Sequence, residues 1–113
     1  MAAGARAEDL AALHLARQGL VIVERNFRTR LGEIDLIARD GDSLVFVEVR
    51  MRSRGDFGGA AASVTAAKRG RWVAAAQGYL AKIGREPACR FDVVLLDALD
   101  ASRVSWIRDV IEV

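Results

Sequence analysis

The chain reads as an α/β domain with a mixed five-stranded sheet flanked by helices, in the order α-β-β-β-α-β-β. Three observations carry this. Residues 5–18 and a second stretch reaching about Ile83 place apolar residues at spacings of three and four, as amphipathic helices do. Five shorter segments are β-branched and apolar or alternate in polarity, as strands do. The length, 113 residues, suits one domain over 1–113 that buries its own core.

In order, ARAEDLAALHLARQ (5–18) is predicted as a helix with Leu10, Leu13 and Ala16 on one side, stopped by Gly19. LVIVERNF (20–27) is a strand. EIDLIAR (33–39) alternates, and Asp40-Gly41-Asp42 is a turn signal. SLVFVEVRM (43–51) follows as a strand, with Val45, Val47 and Val49 on one face and Phe46, Glu48 and Arg50 on the other. The Gly55–Ala62 stretch is rich in glycine and alanine and reads as a loop, either one that orders on substrate or simply a long connection. Ser63 or Thr65 caps the second helix, whose stripe is Val73, Ala76, Leu80 and Ile83; Gly84 and Pro87 end it. RFDVVLLD (90–97) reads as a strand buried on both faces, and RVSWIR (103–108) as a short last one.

Composition excludes several chemistries. Cys89 and His14 are the only Cys and His, so neither a disulfide within the chain nor a Cys-based zinc site is possible. Nothing near His14 recommends Ser-His or Cys-His catalysis. No apolar stretch approaches the ~20 residues of a membrane span, and the first ten residues lack an apolar signal core. The expected setting is cytoplasmic, away from membranes. The net charge of +2 conceals segregation: Arg50–Trp72 holds six basic residues against Asp56, whereas Glu86–Val113 holds six acids against three bases. The basic section is either a phosphate footprint or a consequence of an arginine- and alanine-rich composition.

The acidic hairpin is the candidate constellation for chemistry. If Gly41-Asp42 is a two-residue turn, Asp35 stands directly opposite Glu48; if Asp40-Gly41 is the turn, the two are diagonal neighbours. In both cases they share a face with Glu33 and Arg50, unless a bulge separates them. Opposed carboxylates repel and require a cation. Mg²⁺ or Mn²⁺ suits oxygen ligands of this kind, and such an ion activates water and clamps a phosphoryl oxygen. Arg50 or Lys68 would then stabilise charge on the phosphorus. The alternative cation is internal, with Arg50 bridging the two carboxylates as a structural ion pair.

These residues resemble a known family. Gly32-Glu33-Ile34-Asp35-Leu36-Ile37-Ala38, Val45-Phe46-Val47-Glu48-Val49-Arg50-Met51-Arg52 and Gly58-Gly59-Ala60-Ala61-Ala62-Ser63-Val64-Thr65 with Lys68 are similar to the YraN-type family of uncharacterised bacterial proteins. So are Arg25-Asn26-Phe27-Arg28, Arg90-Phe91-Asp92-Val93-Val94 and Trp106-Ile107, and the likeness spans nearly the whole chain. The resemblance implies a restriction-endonuclease-like fold, similar to archaeal Holliday-junction resolvases, and the D…(E/D)-x-K pattern of that superfamily. It implies a Mg²⁺- or Mn²⁺-dependent endonuclease, a phosphodiester hydrolase acting on branched or single-stranded DNA in recombination or repair. Asp35 and Glu48 would be metal ligands, Glu8 a further ligand from the first helix, and Arg50 would occupy the lysine position. Arginine stays charged and cannot serve as a base, so this departure touches cleavage more than binding. Lys68 is the candidate replacement for the missing ammonium.

The remaining residues have competing roles. Glu8 either completes a metal site or complements the helix dipole. Glu33 suits pairing with an arginine better than direct ligation. Arg25, Arg28 and Arg30 either track phosphates or form a solvated edge; Arg52, Arg54 and Arg69 would line a nucleic-acid cleft. Trp72, Tyr79 and Trp106 suit the core better than base stacking. His14 is expected on the helix surface or packed, and Cys89 is expected to take no part. Two rivals to the nuclease stand: a nucleic-acid-binding module of the same fold that does not cut, and a protein-interaction subunit using its acidic C-terminal section. A homodimer is compatible with the small size, though no residue pattern marks an interface.

Overall fold

A computed structural model describes residues 2–51, 66–97 and 101–111. The elements are α1 (Ala2–Arg17), β1 (Val21–Arg28), β2 (Glu33–Asp40), β3 (Ser43–Met51), α2 (Ala66–Ile83), β4 (Cys89–Leu96) and β5 (Val104–Ile107), with one turn of 3₁₀ helix at Ala101–Arg103 before β5. This is the expected order. The Gly55–Ala62 loop, the caps Ser63 and Thr65, and the residues Arg52 and Arg54 lie outside the described residues. No described helix is long and apolar enough to cross a membrane.

The sheet order is β1-β2-β3-β4-β5, the same as the chain order. Every neighbouring pair is antiparallel except β3 and β4, which run parallel and are joined through α2. A parallel pair needs such a crossover. The two helices cover opposite faces. On the α1 side, Ala7, Ala11 and Leu15 pack on Leu36, Val45, Val47, Val94 and Leu96. On the α2 side, Trp72, Ala76 and Tyr79 pack on Ile37, Phe46, Phe91 and Val93. Strands β3 and β4 carry apolar residues on both faces because both faces are covered, and Phe46, Val47, Val93 and Val94 have no exposed surface.

The β2–β3 register resolves the two turn alternatives. Asp40 pairs with Ser43 and Leu36 with Val47, leaving Gly41-Asp42 as the turn. Gly41 takes a φ of 60° there, the left-handed conformation that such a two-residue turn demands.

The outer end of the β1–β2 hairpin holds an irregularity with no counterpart in the expected alternation. Arg25 pairs with Leu36 and Phe27 with Ile34, so Asn26 faces Asp35. Two residues apart on a regular strand share a face. Here Leu36 packs on the α1 side and Ile34 on the α2 side. Across the ladder, Arg25 bonds Asp9 of α1 while Phe27 stacks edge-on against Tyr79 of α2, centroids 5.2 Å apart. Asn26, with a φ of 54°, sits at this exchange of faces. Asparagine tolerates that left-handed conformation better than other residues with a Cβ.

Candidate functional site

Asp35 lies where the recorded β2–β3 pairing ends, one step beyond Leu36 and Val47. Its Oδ2 accepts the Val49 N–H at 2.8 Å. Strand N–H groups point along the sheet, so the carboxylate is turned into the gap between β2 and β3. It stands at the register position opposite Glu48, as expected, but the exchange of faces replaces the simple shared face that regular alternation implies. Burial pushes the Asp35 carboxyl up to about 6, the Val49 N–H opposes this, and the negative charges of Glu8, Glu48 and Glu33 add to the rise. An acid from α1, one from β3 and one from its own strand thus surround a half-buried carboxylate.

Glu48 is on the α2 side. Its Oε1 meets Lys68 Nζ at 3.1 Å, and its Oε2 lies 3.8 Å from Arg50 Nε. Oε2 is buried and accepts no hydrogen bond among the described residues. A buried carboxylate oxygen in that condition calls for a cation or a donor. Lys68, placed by α2, thus shares one carboxylate with Arg50.

Among the described residues no group of three or more acidic, His or Cys side chains is gathered closely enough to hold an ion. Mg²⁺ usually takes only one or two carboxylates, and fills its remaining positions with water and substrate phosphate. Asp35 and Glu48, with the orphaned Oε2, fit that more economical donor set. Glu8 is nearby electrostatically but is drawn to Arg25, whose Nη2 is 3.8 Å from Glu8 Oε1 and 2.7 Å from Asp9 Oδ1.

The arginines divide into two groups. Arg25 ties β1 to α1, and Arg28 pairs with Glu33 at 3.2 Å on the exposed edge. The partner expected for Glu33 is therefore Arg28. Arg30 and Arg69 are exposed. Beside Glu48, an open cleft of about 460 Å³ runs between the β1–β2 turn and α2, lined by Arg28, Arg30, Glu33, Glu48, Lys68 and Arg71, with Trp72 behind them. Arg71, one of the six basic residues of Arg50–Trp72, lines the same cleft as Arg30 because the turn presses on α2. A Cβ on Gly32 would stand 2.3 Å from the Arg71 carbonyl oxygen. Thr29 holds the turn in shape, its Oγ1 accepting the N–H groups of Leu31 and Gly32, each at 3.1 Å.

Away from this end, a second buried carboxylate has a complete set of partners. Asp92 receives Arg90 Nε (3.1 and 3.2 Å), Trp106 Nε1 (2.9 Å) and the Asp109 N–H (2.9 Å). Arg90 also meets Asp40 at 3.0 Å, linking β4 to the β2–β3 turn. Trp72 and Tyr79 are core residues, as expected. Trp106 is half-buried against the α1 side, with His14 edge-on at 6.4 Å and Arg108 over its ring at 3.9 Å. The exposed Cys89 thiol donates to the Pro87 carbonyl oxygen at 3.1 Å.

Comparison with known proteins gives one consistent match. A family model described as "Uncharacterised protein family UPF0102" matches residues 7–96. Among the relatives, a UPF0102 protein of Dechloromonas aromatica is 61% identical over 108 residues, covering 95% of this chain and 86% of that protein. UPF0102 proteins of a Janthinobacterium species and of Methylobacillus flagellatus are each 52% identical, covering 97% and 94% of this chain and 87% and 93% of their own lengths.

Proposed function

This chain belongs to the UPF0102 family, and we propose that it is a divalent-metal-dependent nuclease-like protein that binds DNA, branched or single-stranded, and hydrolyses its phosphodiesters. The observation that carries this reading is the Asp35 carboxyl, raised to about 6 by burial and by three acidic neighbours at the end of the β2–β3 ladder. The three neighbours have cations of their own, whereas Asp35 has none among the described residues; a buried carboxylate left in that condition costs stability, and function is a common reason to retain it. The proposed metal is Mg²⁺ or Mn²⁺, with Asp35 and Glu48 as its ligands and Glu8 as an outer acid. Such an ion supplies Lewis acidity towards a phosphoryl oxygen. Arg50 and Lys68 hold positive charge beside the reacting phosphate, and Arg50 acts only as a cation, never as a base. The restriction-endonuclease-like fold belongs to the same reading, supported by the element order and by the parallel β3–β4 pair that carries Glu48.

One observation favours a second reading. Lys68 at 3.1 Å and Arg50 at 3.8 Å already set two cations against Glu48. A site neutralised in this way suits a module that binds nucleic acid without cutting it. Incubation with single-stranded, duplex and four-way-junction DNA, in Mn²⁺ or in EDTA, separates the readings. The nuclease reading expects Mn²⁺-dependent cleavage that Asp35→Asn and Glu48→Gln abolish. Cleavage that survives Asp35→Asn sinks the site assignment, and binding without cleavage in any metal establishes the second reading.

A further inference from the structure

We propose that the cleft between the β1–β2 turn and α2 is a phosphate-binding subsite, in which Arg30, Arg71 and the Trp72 indole N–H hold a phosphate group of the nucleic-acid strand next to the carboxylate site. The inference deepens the nucleic-acid reading above and rests on that reading, but it does not require a metal. Three observations converge on the cleft.

The first is charge. Four cations and two carboxylates line it. Arg28 is engaged by Glu33 and Lys68 by Glu48. Arg30 and Arg71 make no ion pair among the described residues, so the cleft holds two guanidinium groups in excess of its carboxylates. Guanidinium forks match phosphate geometry.

The second is a buried donor without an acceptor. Trp72 is 4% exposed and lines the cleft, yet its Nε1–H has no hydrogen-bond partner among the described residues. Buried indole N–H groups are ordinarily bonded. The other tryptophan obeys that rule, since Trp106 donates to Asp92 at 2.9 Å. A phosphate oxygen is an acceptor of the right kind for it, as the Asp92 carboxylate is for Trp106.

The third is construction. Gly32 allows the turn to approach the α2 backbone at Arg71 more closely than any side chain permits, and Thr29 braces the turn from within. Arg30 and Arg71, from separate elements, are held on one cleft as a result. The volume, about 460 Å³, accommodates a phosphate with part of its sugar.

The two indole N–H resonances of the ¹⁵N-labelled protein provide the test, with Trp106 as internal control. The full chain is titrated in EDTA with inorganic phosphate, with an oligo(dT) lacking a terminal phosphate, and with the same oligomer 5′-phosphorylated. The Trp72 resonance, assigned by its loss in Trp72→Phe, moves and the Trp106 resonance stays. Arg30→Ala and Arg71→Ala each weaken oligonucleotide binding about tenfold. A response to both oligomers identifies an internal phosphodiester as the ligand, and a response only to the phosphorylated one identifies a strand end. An unmoved Trp72 resonance under all three ligands, or undiminished binding by both arginine variants, overturns the proposal. Binding of inorganic phosphate without either oligomer also overturns it, since the strand is then not the ligand. Mn²⁺-induced broadening around Asp35 and Glu48 is followed separately. Its absence alongside a mobile Trp72 resonance defeats the metal reading and leaves the subsite standing.

Discussion

Asp35 and Asp92 are both carboxylates set into the sheet, and the protein treats them in opposite ways. Asp92 is completely buried and receives Arg90, the Trp106 indole and the Asp109 N–H, so each oxygen is satisfied and its charge is balanced. Asp35 receives one backbone N–H and is otherwise approached by acids. Each has a non-glycine residue in the left-handed region close at hand: Asp109 beside Asp92, and Asn26 facing Asp35 across the ladder. At Asp92 the unusual backbone delivers a donor to the carboxylate. At Asp35 it coincides with the exchange of strand faces that turns the carboxylate towards the gap. The fold thus satisfies one buried carboxylate fully and leaves the other with a single donor among the described residues and acids around it.

The sharpest way to break the contrast is to remove each carboxylate in turn. Asp92→Ala is expected to destabilise the fold by about 3–5 kcal/mol in urea unfolding, because it leaves buried donors and Arg90 without their acceptor. Asp35→Asn is expected to act in the reverse direction without metal, since Asn retains an acceptor for Val49 and removes the repelled charge. The pH dependence has a definite sign. The folded pKa of Asp35, about 6, lies above its ordinary 3.8, so the native state holds the proton more tightly than the unfolded chain. Stability from this group is greatest below the unfolded pKa and declines as pH rises to about 6, then stays level. The gain in Asp35→Asn therefore opens across that window and reaches at most about 3 kcal/mol at neutral pH. Thermal melts at pH 4 and pH 7.5 in EDTA check it; a variant less stable than wild type at pH 7.5 would refute the account of Asp35.

Smaller effects sharpen the picture. Gly32→Ala forces the turn off α2, at a cost of about 1–3 kcal/mol, and widens the Arg30–Arg71 cleft; a denaturation midpoint equal to wild type contradicts the close approach. Asn26→Gly should match or slightly exceed wild type, while Asn26→Ala loses about 1 kcal/mol, because only the former relieves the left-handed backbone. If the two variants unfold at the same denaturant concentration, the conformation of Asn26 is not what holds the hairpin's outer end.

Much of the frame was legible in the residues. The element order follows from local periodicity, and the Gly41-Asp42 alternative is enough to set Asp35 opposite Glu48. Burial of both faces of β4 was visible in its apolar residues, Phe91 and the run Val93–Leu96. The unread features depend on long-range relations. Nothing in VIVERNF marks Asn26 as left-handed, since the exchange of faces arises only when β1 and β2 pack between two helices. Asp92 looks like an interruption of an apolar strand until Trp106 and Asp109, distant in sequence, bring it their hydrogens. Arg71 shows no sign of lining a cleft until Gly32 is seen against its backbone. The arginine assignments divided for the same reason: Arg25 has its acids on α1, whereas Arg30 has none among the described residues.

The agreement of sheet order with chain order has a consequence for how the molecule comes into being. The β1-β2-β3 meander contains only neighbouring-strand pairings and sets Asp35 beside Glu48. It can form as soon as those strands leave the ribosome, before α2 and β4 exist. Until β4 arrives, the inner edge of β3 is an open strand of apolar residues, with unpaired backbone groups of the kind that recruit other chains. The non-local closure of β3 on β4 is thus the step most exposed to misassembly, and the Asp92 hub on β4 fastens that closure once it is made.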